Sequence, residues 1–397
     1  MAFSLARARL IDATADRPQS TIIIDGPRIA AVDPLGATVP CIDAADMIVT
    51  PGFIDVHTHG GGGFNLHTRE PAELAAYARW APTTGTTAFL AGVVGVPGGL
   101  PTAQLQAATE AARRGGPGAE LLGIHLEGPY LNVQRRGAHD PAWLRMPSVA
   151  EAEELLALTG PWLRLITLAP ELPGADGMIR CLVAANVCVS MGHTDATYEQ
   201  ARAAIALGVT HVTHCFNAMP PLLHRAPGPL GALIEAPHVR GELIADGVHV
   251  LPPAVRALVR ALEPGQVVGV TDGLPGAGVP EARFTFGGQP AHVADGAARL
   301  ANGALCGSVL TMDQALRNLV RFAGIPLPAA VGMLTHNPAR SAGVAQRKGL
   351  LQVGYDADLL LFDRELELQA TLCRGRVAYA REPWRARLAA GGAGGVE

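Results

Sequence analysis

Between residues 53 and 273 the chain switches repeatedly between two hydrophobic periods, and that alternation leaves few folds open. Short apolar runs fall at 53–59, 86–93, 120–127, 164–171, 187–193, 210–217, 241–248 and 266–273. Helical patterns separate most of them, at 71–80, 102–114, 149–158, 176–185, 197–207 and 252–262. Runs such as LLGIHL at 121–126 and VVGV at 267–270 show little polar alternation, as strands covered on both faces do. Eight such β/α units over roughly 250 residues specify an α/β fold, a (β/α)8 TIM barrel. An open doubly wound sheet is the alternative, but no GxGxxG follows the first strand. Patterns at 310–322 and 328–343 supply two closing helices, and residues 283–303 interrupt the repeat with a hairpin signal.

The two ends of the chain have a different rhythm. Residues 21–24 and 28–32 flank Asp25-Gly26, and residues 370–373 and 376–379 flank Arg374-Gly375. Both read as hairpins. A small β-sandwich domain built from both termini follows, with the barrel inserted between its halves. The expected boundaries are 1–50, 51–343 and 344–397. The Gly/Ala-rich stretch 389–397 reads as a mobile tail.

In such barrels the chemistry sits at the C-terminal ends of the strands. Here those ends carry His57 and His59, then Glu127, His193, His214, the Asp246–His249 segment and Asp272. His57 and His59 are two apart on a strand, so they project from one face. An isolated HxH is more often a turn; the company of the other strand ends makes it half of a metal site. His193 and His214 have an ordinary alternative as buried histidines bonded to backbone. Asp272 has one as a helix cap. Glu127 would be costly as an unpaired carboxylate ending a buried strand, and a cation removes that cost. His125 shares the face of Glu127 and reads equally as support for a ligand or as barrel filling. His211, His224, His238, His292 and His336 read as surface or structural, and His67 is unassigned.

Glutamate with histidines suits Zn²⁺ or Fe²⁺ better than Mg²⁺ or Ca²⁺, which favour oxygen cages. A divalent ion with an open position lowers the pKa of water. Asp272 could accept that proton as general base and return it as general acid. The reaction class is metal-assisted hydrolysis, most simply of a C–N bond. Lys348 is the only lysine and lies beyond the barrel.

Composition excludes several classes. A net charge of -4 with 17% charged residues carries no nucleic-acid footprint. No apolar run is long enough for a membrane span, and the N-terminus lacks the apolar core of a signal peptide. The 6 cysteines form no CxxC pair and read as free thiols in a reducing, cytoplasmic setting.

The motifs PGFIDVHTHG (51–60), HLEGPYLN (125–132), RGAH (136–139), ITLAPE (166–171), MGHTDAT (191–197), THCFNAM (213–219), RAPG (225–228), ADGVHV (245–250), VTDG (270–273) and GSVLTM (307–312) resemble those of the N-acetylglucosamine-6-phosphate deacetylase family of the amidohydrolase superfamily. The first marks only the superfamily; HLEGP with HCFNAM and DGVHV is more specific. Many barrel amidohydrolases bridge two metals with a carboxylated lysine on strand four; with Lys348 the only lysine, the resemblance implies the variant in which a glutamate from strand three takes that role. The resemblance implies Glu127, His193 and His214 as the main metal ligands, and Asp272 as general base and acid. His139, with Ala138 beside it, would hold the N-acetyl carbonyl. Asn217, Ala218, Asp246, Gly247, Val248, His249, Leu305, Cys306 and Gly307 would contact the sugar. Arg225 would bind the 6-phosphate across a subunit interface, which implies a homodimer. An arginine suits that task because its guanidinium presents a fork of donors. Family members differ at the positions of His57 and His59, so one or two metals per subunit remain open. The rival functions are hydrolysis of another N-acyl sugar or N-acyl amino acid, and a non-catalytic scaffold.

Overall fold

Eight parallel strands form the central sheet of the computed structural model, which describes residues 2–35, 39–286 and 288–395. They are β1 (Phe53–Thr58), β2 (Thr86–Val94), β3 (Glu120–Glu127), β4 (Leu163–Leu168), β5 (Cys188–Met191), β6 (His211–Val212), β7 (Arg240–Ile244) and β8 (Val267–Val270). Each pairs with its sequence neighbour. β1 and β2 are buried along their whole length, because helices cover one face and the barrel interior the other. The barrel closes at its C-terminal rim. There Asp272 donates its N–H to the His57 carbonyl over 2.8 Å, and His59 donates to the Gly273 carbonyl over 2.7 Å. Closure itself therefore brings the first and last strand ends together.

The helices occupy the expected intervals with informative differences. Helix Tyr198–Ala206 opens on a capping box in which Thr197 and Gln200 each accept the other's backbone N–H. A helix at Gly228–Glu235 was not expected from sequence; two glycines and a proline within GPLGALIE hide it from propensity. The pattern at 328–343 is two helices, Leu327–Leu334 and His336–Ser341, broken at Thr335 (φ -128°, ψ -75°). The excursion after β8 is a three-stranded antiparallel sheet, Arg283–Phe286, Gln289–Ala294 and Ala297–Leu300, one strand more than a hairpin.

Both termini build the second unit, whose strands join into one eight-stranded sheet. Strand Ala2–Ile11 pairs with Cys41–Asp43 through Ser4 to Ala6 and with Ile48–Pro51 through Arg9 and Leu10. The changeover falls at Arg7, at φ 63°. One strand thus serves both layers of the sandwich, bending where it changes partner. Leu5, Leu10, Ile22, Leu359 and Leu372 fill the core between the layers. Gly52 connects this unit to β1, and a Cβ there would lie 2.0 Å from the Thr87 hydroxyl, so only glycine fits.

The tail is packed rather than mobile as far as Gly395. Ala393 enters the sandwich core beside Trp384 and Leu388 of the helix Trp384–Ala390 that leads into the tail, and Gly395 pairs with Val377. Its Gly/Ala composition concealed one apolar face. Residues 396 and 397 lie outside the described part.

Lys348 is buried between the two units. It contacts Asp358 and lies 2.9 Å from both Glu120 and Asp356. Arg347 joins the same carboxylates. The single lysine is therefore structural. Among the described residues, no helix is long and apolar enough to cross a membrane.

Candidate metal centre and substrate cavity

The expected ligands converge on the carboxylate of Glu127, which ends β3. Its Oε1 is 3.1 Å from His193 Nε2, 3.3 Å from His214 Nε2 and 3.4 Å from His57 Nε2. Its Oε2 is 3.1 Å from His59 Nε2 and 3.5 Å from His139 Nε2. Asp272 Oδ1 lies 3.5 Å from His57 Nε2 and 3.4 Å from His59 Nε2. All of these side chains are buried. Three of them sit on left-handed backbone: His193 (φ 47°), His214 (φ 27°) and Asp272 (φ 48°). Such strain persists only where the surroundings enforce it, and it clusters at functional sites.

The imidazoles are aimed by groups that sequence reasoning missed. Glu242, fully buried on β7, accepts from His57 Nδ1 at 2.7 Å, from the His214 backbone N–H at 3.0 Å and from His211 Nε2 at 3.2 Å. With Nδ1 committed to Glu242, His57 turns Nε2 toward the cluster, where a lone pair becomes available once its proton is given up. The Arg135 carbonyl does the same for His193, accepting its Nδ1–H over 2.8 Å. Gly92 on β2 leaves room for His59, since a Cβ there would lie 2.6 Å from His59 Nδ1. A glutamate inside the apolar run GELI was the available signal for Glu242. His125 is barrel filling: it donates to the Val56 carbonyl at 3.0 Å and accepts from Thr167 at 2.8 Å.

These residues fit a divalent ion. His57 Nε2 and both ring nitrogens of His59 are buried without a hydrogen-bond partner, an expense that a ligand role would remove. Two groupings could hold the ion: His57–His59–Asp272, which reaches the cavity through Asp272, and Glu127–His139–His193, all three of which line the cavity. In a third, His57–His125–Glu242, His57 Nδ1 is already bonded to Glu242 and both His125 nitrogens to Val56 and Thr167.

Electrostatics point the same way. Burial disfavours a charged His57, but Glu242, Asp272 and Glu127 outweigh it and hold its pKa well above the usual value. Burial is likewise overcome at His59, where Asp272 and Glu127 raise the pKa to about 9. Glu127, despite burial, is kept well below the carboxylate range by His57 and the other imidazoles. Asp272, also buried, is lowered by His57 and His59. Burial lowers His139 and keeps it neutral near pH 7. Three buried carboxylates, Glu127, Asp272 and Glu242, thus face the raised imidazoles of His57 and His59, and a dication would supply the same sign of charge.

A cavity of about 190 Å³ opens above the cluster. It is lined by Ala138, His139, Asn217, Ala218, His249, Leu305 and Gly307, all expected, and by Gly137 and Phe286, which were not. Asp246, Gly247, Val248, Cys306 and Arg225 are outside the lining. Asp246 holds His249 through Nδ1 at 2.7 Å. Cys306 is buried in the same apolar cluster as Phe286. Arg225 is exposed and donates to His224 Nε2 over 2.8 Å. A larger concavity of about 1290 Å³ flanks the excursion sheet, but none of the metal-type groupings faces it.

The sequence matches the model of the amidohydrolase family over residues 48–378. The chain belongs to the amidohydrolase family. Members depend on divalent metal, and the centre described above is this amidohydrolase's candidate for it. It is 38% identical to an N-acetylgalactosamine-6-phosphate deacetylase of Escherichia coli O157:H7, covering 88% of this chain and 92% of that protein. It is 35% identical to an N-acetylglucosamine-6-phosphate deacetylase of Vibrio furnissii, covering 89% and 86%. A variant N-acetyl-D-glucosamine-6-phosphate deacetylase of Mycobacterium smegmatis, solved with N-acetyl-D-glucosamine-6-phosphate, superposes with a TM-score of 0.90 at 34% identity. That match covers 96% of this chain and 100% of the other. The resemblance read from the motifs is borne out.

Proposed function

We propose that this amidohydrolase removes the N-acetyl group of N-acetylglucosamine 6-phosphate, giving glucosamine 6-phosphate and acetate. The observation that carries the proposal is the convergence of His57, His59, His193 and His214 on Glu127, with Asp272 within 3.5 Å of the first pair. Glu127, His193 and His214 would hold one divalent ion, zinc or iron, and His57 and His59 a second with Glu127 between them. Such an ion supplies Lewis acidity to the amide carbonyl and lowers the pKa of water.

The chain's own groups do the rest. Asp272, ionised because His57 and His59 face it, takes a proton from the attacking water and delivers it to the departing amine. His139, neutral, donates to the acyl oxygen as charge develops there. Asn217 and His249 face the sugar. Asn217 spends its amide N–H groups on the His214 and Cys215 carbonyls, so its side-chain oxygen is free to accept from a hydroxyl. Asp246 fixes the ring of His249. Arg225 is exposed and lies outside its own chain's cavity, which supports phosphate binding in the cavity of a second subunit and hence a homodimer. The cytoplasm, where phosphosugars are kept, is the fitting compartment.

The Escherichia coli relative supports a second reading, in which the galacto epimer is the substrate. Rates on both 6-phosphates and both free sugars, before and after Arg225→Ala, separate the cases. A large loss confined to the phosphorylated substrates supports phosphate recognition. Unchanged activity on them removes it, and a preference for the galacto epimer selects the second reading.

A further inference from the structure

The cavity above the cluster has two chemically different halves. The polar half comes from the loops after β5, β6 and β7, with His193, His214, Asn217 and His249. The other, mainly apolar half comes from the loop after β3 and from the excursion beyond β8; its members are Ala138, Phe286 and Leu305, with His139 as the one polar group among them. An N-acylhexosamine phosphate carries hydroxyls or charge around its ring edge, and among its substituents only the acyl chain ends in an apolar group. A hydroxyl set against the apolar half would lose its water partners and gain none. An acyl methyl set there loses nothing and sheds its hydration. The orientation follows: sugar over the polar half, acyl chain toward Phe286.

We infer that Phe286 is the end wall of an acyl pocket and restricts this enzyme to short N-acyl groups. This rests on the deacylation reading above and names a residue that limits its substrates. The Phe286 ring meets the edge of His59, with centroids 5.5 Å apart and planes at 67°. It therefore stands beside the metal cluster, where the reacting carbon has to lie, and not at the cavity mouth. The ring is also backed. Val94, Leu274, Ala291, Ala298, Leu300 and Cys306 are buried with it in one apolar cluster. Trp143 packs on the same cluster from the loop after β3. A close-packed wall of this kind does not retreat for an extra methylene.

The test is a series of N-acetyl, N-propanoyl and N-butanoyl glucosamine 6-phosphates, compared by kcat/KM. For the unaltered protein each added methylene should cost roughly 10-fold or more, the usual penalty in an apolar pocket. Phe286→Ala should flatten the series to within a few-fold, and Phe286→Leu should fall between. Metal content measured on each variant shows that the centre is intact, and Phe286→Leu carries the test if the alanine variant folds poorly. The inference is overturned if the unaltered protein cleaves the butanoyl compound about as well as the acetyl one. It is equally overturned if both variants keep the original ratios with metal in place. Absence of any phosphosugar cleavage would instead fail the earlier reading. The same acyl series on unphosphorylated N-acylhexosamines then decides by the same ratios.

Discussion

The Nε2 atoms of His193 and His214 lie 3.0 Å apart, and Glu127 Oε1 is within 3.3 Å of both. His193 gives its Nδ1 proton to the Arg135 carbonyl, so its Nε2 offers a lone pair. Two imidazole nitrogens and a carboxylate oxygen aimed at one point describe a place for a cation. The other strand ends add to it, and the consequences can be measured.

Metal uptake should release protons. Without metal, His59 keeps its proton up to about pH 9, and a ligand nitrogen has to give it up. Divalent-ion affinity should therefore rise as pH is raised from 7 towards 9. Titration in weak buffer with an indicator should report release of about one proton or more per chain, and less for His59→Gln. Affinity that is flat with pH would contradict this.

Glu242 touches no cavity surface, yet it should govern the centre. Glu242→Gln keeps the volume but sets an amide N–H against either His57 Nδ1–H or His211 Nε2–H. Metal affinity should fall by roughly 10- to 100-fold, as for other supports of ligand histidines. Equilibrium dialysis measures it. An unchanged affinity would show that His57 needs no such support.

Asp272→Asn should leave the fold and the bound metal in place while acetate release drops by on the order of 10²- to 10⁴-fold. The neutral amide cannot carry the proton from water to amine. Full-rate release would remove Asp272 from the reaction.

Acid stability should depend on the ion network between the two units. Burial would raise the Glu120 carboxyl, but Arg347 and Lys348 lower it to about 2. A carboxyl depressed by folding stabilises above its unfolded pKa, roughly 4.3. That contribution is lost as pH falls from there toward 2, and amounts to at most about 3 kcal/mol. Glu120→Gln should lower stability at pH 7 and flatten the acid limb of denaturant-measured stability. Curves that stay parallel from pH 7 to 3 would contradict it.

Much of the fold was legible because it rests on local signals. Eight apolar runs and the helices between them show their periods directly. The cluster was legible because Glu127, His193, His214 and Asp272 each end such a run. What stayed hidden depends on neighbours distant in sequence. Glu242 reads as one odd residue in GELI until β6 and β7 lie side by side. Gly92 is unremarkable until His59 occupies the space beside it. The left-handed backbone at His193, His214 and Asp272 leaves no mark on those residue types. Phe286 belongs to an excursion outside the barrel repeat, and nothing in its spacing places it against His59. The tail misled for the opposite reason: its composition resembles a linker, while Ala393 packs into the sandwich core and Gly395 pairs with Val377.

The central claim is that this metal centre hydrolyses an N-acetylated phosphosugar. The most direct measurement is acetate release from N-acetylglucosamine 6-phosphate and from N-acetylglucosamine, with protein as purified, after chelation, and after restoring zinc or iron. The account predicts rapid release from the phosphorylated sugar, much slower release from the free sugar, loss on chelation and recovery with metal. Release that survives exhaustive chelation, or no release from the phosphorylated sugar by metal-loaded protein, would contradict it.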